Sequence, residues 1–147
     1  MLAWVIAVAI FFSLAIMGLG VLSLYTDQDI ISVPRLGQLP GIVGMGLAVI
    51  VFALVLWRVL AELHPSFVAS VFLALSAAIV HLGGVWGTAV AEGSGAVRAT
   101  AAAGHLVLGG ASAVIVLAAL VAAWIGIALR RTAARAPRWP WEKDEGP

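Results

Sequence analysis

Cysteine is absent from the 147 residues. That excludes a disulfide, a thiolate metal site, an iron–sulfur cluster and a cysteine nucleophile, and it leaves the redox compartment unread. Charge is scarce as well. Asp, Glu, Lys and Arg make up 10% of the chain, where a soluble domain carries about a quarter. None of them lies in the core of a long apolar run, so a proton relay at depth has no carboxylate partner. Ser13, Ser23, Ser70, Ser76 and Ser112 likewise have no Asp at their depth, and no catalytic constellation is visible. The few basic residues form no basic face, which argues against nucleic acid as a partner. Gly41, Gly44 and Gly46 are not followed by Lys-Ser or Lys-Thr. They therefore make no phosphate-cradling loop and read better as close helix contacts.

What is abundant is apolar: 63% of the residues, with a mean hydropathy of +1.14. A water-soluble core of this size has no room for that excess, so most of the surface must face lipid. Four apolar runs cover 2–24, 40–61, 66–90 and 99–129. Each is long enough to cross a hydrocarbon core of about 30 Å at about 1.5 Å per residue. In lipid such segments must be helices, because no water is there to satisfy an open backbone. The first run has no Lys or Arg before it, is too long for a signal peptide and is followed by no cleavage site, so it reads as a retained span. Pro34 ends the first helical region, Pro40 opens the second run, and Glu92-Gly93-Ser94-Gly95 is a tight turn. The predicted architecture is an all-α polytopic membrane protein: an up-down bundle of four transmembrane helices over 1–131, then a tail over 132–147 expected to be disordered.

Charge placement gives the orientation. Arg58, Arg130, Arg131, Arg135, Arg138 and Lys143 lie on one side, and only Arg35 and Arg98 on the other. Six against two predicts a plasma-membrane protein with both termini in the cytoplasm. Trp4, Trp57, Trp86 and Trp124 fall one per span near an expected interface, where indole rings settle. Arg130, Arg131, Arg135 and Arg138, with Trp139 and Trp141, read as a membrane anchor that reaches anionic headgroups.

Two segments stand apart. His81-Leu82-Gly83-Gly84 is answered by His105-Leu106-Val107-Leu108-Gly109-Gly110. Both histidines share their helix stripe with small residues: Ala74, Ala77, Gly84 and Thr88 in the third run, Ala102, Gly109 and Ser112 in the fourth. Small residues let membrane helices approach closely. A hairpin centred on Gly93 pairs positions whose numbers sum to 186, which sets His81 against His105. Aligning the cytoplasmic ends of the two runs instead puts His81 about 21 Å deep and His105 about 36 Å deep.

An ionisable side chain inside a membrane is a functional candidate by default. His81 and His105 could ligate haem b, serve a transporter as proton carriers, or hold a metal with Asp27, Asp29 or Glu92 as a further ligand. The packing alternative is that each ring donates a hydrogen bond across the seam to Ser112, Thr88, a carbonyl or the other ring. Such a bond contributes about 0.6 kcal/mol. A seam of Ala, Gly and Ser is narrow for a porphyrin, so the packing reading is preferred. His64 reads as a solvated corner residue.

The Thr26-Asp27-Gln28-Asp29-Ile30 loop, the Ala/Val/Gly-rich spans and the closing Pro137-Arg138-Trp139-Pro140-Trp141-Glu142 resemble small, uncharacterised four-span membrane proteins of actinobacteria. The resemblance implies no activity, cofactor or site residue. The expected function is a non-enzymatic accessory or structural component of the bilayer, with no cofactor, in a homo-oligomer or a larger membrane complex. The alternative is a small b-type cytochrome or a transporter subunit using His81 and His105.

Overall fold

Residues 1–26 and 39–133 are described by a computed structural model. Asp27, Asp29, Arg35 and the tail residues Arg135, Arg138, Trp139 and Trp141 lie outside the described residues. Five helices follow one another: α1 (Leu2–Thr26), α2 (Leu39–Ala61), α3 (Ala69–Ala91), α4 (Ala96–Leu108) and α5 (Ala111–Ala133). No strand occurs among the described residues. Four helices, all but α4, are long and apolar enough to cross a membrane. The chain is an all-α polytopic membrane protein.

The helices bury narrow stripes and leave the rest to lipid. α1 buries only Ala7, Phe11 and Ala15. α2 buries every fourth residue, Pro40, Gly44, Ala48, Phe52, Leu56 and Leu60. Such rows are the ridges along which helices interdigitate. Exposed Ile16, Met17, Ile50, Leu54, Phe72 and Ile79 are the apolar surface a bilayer covers. One continuous core joins Phe11 and Phe52 (ring centroids 4.4 Å apart) with Leu56, Leu73, Ile115 and Ile127.

Helix approach is set by small residues. A Cβ added at Gly126 of α5 would stand 2.9 Å from the Ala7 Cβ of α1, and one at Gly18 would stand 2.6 Å from Val114 Cγ1. These two contacts fix α1 antiparallel to α5. α2 and α3 come close where Gly44 faces Gly84.

One expectation needs correcting. The fourth run was expected as a single helix over 99–129, and it is two helices broken at Gly109–Gly110. Gly110 has φ +86°, a left-handed conformation that glycine adopts without strain. The Gly109 N–H closes α4 on the His105 carbonyl at 2.8 Å. The 13-residue α4 then packs Leu106 among Val85 of α3, Ala111 of α5 and Leu19 and Leu22 of α1. It runs back alongside α3 from the Gly93 turn and leads into α5.

Candidate functional site

His81 is 4% exposed, and with Ser70 it is one of two buried polar residues found among the described residues. Its imidazole leans on the Gly44 backbone of α2. The fit there is tight. A Cβ at Gly84 would lie 2.8 Å from Gly44 Cα, and a Cβ at Gly44 would lie 2.9 Å from the His81 carbonyl oxygen. His81 Nδ1 and Ser112 Oγ are buried without a hydrogen-bond partner.

His105 is placed differently. It is exposed on α4, and the buried position beside it belongs to Leu106. The expectation that the two rings meet in one enclosed seam is therefore corrected. His81 turns to α2, and α4 buries the stripe of Ala99, Ala102 and Leu106, which leaves His105 beside it exposed. The other proposed hydrogen bonds across the seam go elsewhere. Thr88 Oγ1 donates within its own helix to the Gly84 carbonyl, and Ser112 Oγ has no partner. Near the turn, Trp86 Nε1 donates to Thr100 Oγ1 at 3.2 Å. Of the remaining seam residues, Ala74, Ala77 and Ala102 are buried, Gly84 and Thr88 are half-buried, and Gly109 is exposed. Ala74 and Ala77 join the core that contains Ile115 and Ala119 of α5.

A single family description, "Family of unknown function (DUF6121)", matches residues 1–147, the full length of the chain. The chain belongs to DUF6121. No curated protein and no solved structure matches it. DUF6121 membership assigns no chemistry, so the site must be judged on this member's own geometry.

By that measure, the described residues of this DUF6121 chain hold no group of three His, Cys, Asp or Glu side chains placed to bind a metal. His64 is exposed in the corner after α2. A separate set of polar and aromatic contacts lies at the end opposite the Gly93 turn. Trp4 Nε1 donates to the Ala53 carbonyl at 2.8 Å, and its ring meets Trp57 edge-on at 5.6 Å. Phe67 packs on Trp124 at 5.6 Å, and the Arg131 guanidinium lies 5.0 Å over the Phe67 ring. Arg130 Nε donates to the Leu60 carbonyl at 3.3 Å, filling one of the acceptors left open by the last turn of α2. Arg130 and Arg131 were singled out by charge alone. The aromatic partners Trp4, Trp57 and Phe67 come from three other segments, so charge counting could not group them with the arginines.

Proposed function

We propose that this protein is a non-enzymatic structural component of the bacterial cytoplasmic membrane, with both termini in the cytoplasm, that works as a pair of identical copies. The observation that carries this reading is on α3. Gly83 and Gly87 lie one turn apart on an exposed face, and a Cβ at either would meet nothing within 4 Å. Two glycines spaced in this way let a second membrane helix approach closely. The same face on two copies is self-complementary about a twofold axis. Exposed Phe72 and Ile79 continue it along the helix. The contact holding His81 supports a packing role rather than a chemical one, because Gly44 and Gly84 bring α2 and α3 too close to admit a planar cofactor beside the ring. The excess of Lys and Arg beside the spans supports the orientation.

The cysteine-free sequence makes the test clean. Ile79→Cys, introduced alone in native membranes, is expected to give a cross-linked dimer under mild oxidation. Adding Gly83→Leu and Gly87→Leu is expected to remove that dimer while the folded monomer persists, since both positions are open within one chain. A thiol that labels freely yet yields only monomer would overturn the pairing.

The cytochrome alternative has its own measurement. After expression with ample haem, the purified protein is expected to show no Soret band. A stoichiometric band lost in both His81→Ala and His105→Ala would replace this reading with a bis-histidine cytochrome.

A further inference from the structure

A pocket of about 320 Å³ opens at the arginine end of the bundle, where α1, α2 and α5 converge. Met1, Ala3 and Trp4 form one wall, Trp57, Leu60 and Ala61 a second, and Arg130 closes the third. Its described lining is one-sided: the Arg130 guanidinium, Met1 with its amino group, two indoles, aliphatic groups and no acid. The only acids among the described residues are Glu62 and Glu92, and neither lines the pocket.

The cation is aimed as well as present. Its Nε–H is held by the Leu60 carbonyl. A guanidinium has five N–H donors in a rigid fork, so four remain, and no carboxylate among the described residues takes them. Trp4 is fixed in turn by its bond to Ala53 and its edge contact with Trp57. A planar donor fork beside ordered indoles matches a phosphate diester with a short aliphatic continuation. Toward the membrane interior α1 and α2 expose Val5 and Leu54, each next to or one turn from a pocket tryptophan. Acyl chains can lie there. A free phosphate ion would leave the indoles and the aliphatic walls unused.

We infer that this pocket binds the headgroup phosphate of one anionic glycerophospholipid, with Arg130 as the phosphate ligand and Trp4 and Trp57 flanking the glycerol. The site is discrete. It differs from the diffuse attraction of a basic segment to a charged surface, since it requires Arg130 and not its equally charged neighbour. Arg131 is committed to the Phe67 ring and does not line the pocket. The inference does not depend on copy pairing, which uses a different face, on α3.

Native mass spectrometry of the full-length protein, released from micelles doped equally with phosphatidylglycerol and phosphatidylcholine, tests this. The wild type is expected to retain one phosphatidylglycerol per chain, with phosphatidylcholine, which carries the same diester but adds a quaternary ammonium repelled by the guanidinium, retained about tenfold less. Arg130→Gln is expected to lose that preference, Arg130→Lys to recover part of it, and Arg131→Gln to keep it whole. Inorganic phosphate at millimolar concentration is expected not to displace the lipid. Equal retention of the two lipids by the wild type overturns the site, and this arm needs no variant to fold. A preference lost equally in the Arg130 and Arg131 variants reduces the site to surface charge. Displacement by inorganic phosphate makes it a free-anion site.

Discussion

Gly84→Ala is expected to destabilise the protein by roughly 2 kcal/mol, whereas Gly83→Ala, one residue away, is expected to stabilise it by up to about 1 kcal/mol. Both glycines sit inside α3, so both substitutions gain the helix propensity of alanine. They differ in what the new methyl meets. At Gly83 it enters open space. At Gly84 it arrives 2.8 Å from Gly44 Cα and 3.1 Å from Leu47 Cδ1. The leucine can rotate aside, but the Gly44 backbone cannot, so α2 and α3 must separate. Separation also loosens Val85 against Gly44 and draws the Gly44 backbone away from His81. In lipid little else would hold the pair, since apolar burial between helices gains nothing over contact with acyl chains and close packing carries the association. Gly84→Leu is accordingly expected to yield no folded protein. Unfolding in micelles titrated with a denaturing detergent measures the two alanine variants, under conditions that also separate copies, and the yield of folded protein measures Gly84→Leu. A Gly84→Ala protein as stable as Gly83→Ala would mean that the α2–α3 contact is not close.

The same pair shows where reading the sequence stops. Membrane class, helical content and the number of spanning helices follow from hydropathy, because the bilayer imposes one length and one secondary structure on every crossing. Gly-Gly after His-Leu carries no such constraint. At Gly83 and Gly84 the dipeptide lies inside an uninterrupted helix. At Gly109 and Gly110 it ends one. Locally the two are nearly alike, and the difference is tertiary. Gly84 faces Gly44 of α2 at close range, whereas Gly110 meets only the end of the Leu22 side chain at 3.7 Å. One clue was available, since a run of about 30 residues exceeds what one crossing needs.

The seam illustrates a second limit. Small residues at helical spacing do mark close packing in α3, but in an Ala- and Gly-rich chain they occur on several faces at once, and spacing does not name the partner. His81 and Gly84 face α2, while Ala74 and Ala77 share a core with α5. Pairing the stripe with the next segment in sequence brought His105 inward, where the structure leaves it exposed. Gly44 reads as a helix contact, but nothing in the sequence links it to Gly84, some forty positions away.

Gly110→Val is expected to cost about 1–3 kcal/mol, with Gly110→Asn costing clearly less. Space is not the issue, since a Cβ at this position would make only ordinary contact with Leu22. The cost lies in the backbone, where φ is +86°. A β-branched residue is strongly disfavoured there, while asparagine tolerates the left-handed region. The strain has a release: residue 110 can turn right-handed and fuse α4 to α5. The fused helix would run from Ala96 to Ala133, about 57 Å at 1.5 Å per residue against a hydrocarbon core of about 30 Å. Tilting cannot absorb so large an excess. Fusion would also disturb the packing of Leu106 with Val85, Ala111, Leu19 and Leu22. The variant is thus caught between a strained break and an overlong helix. Stabilities ranked glycine, asparagine, alanine, valine in the same detergent titration would establish the left-handed break. Alanine equal to or above glycine would mean that the fourth span is one continuous helix.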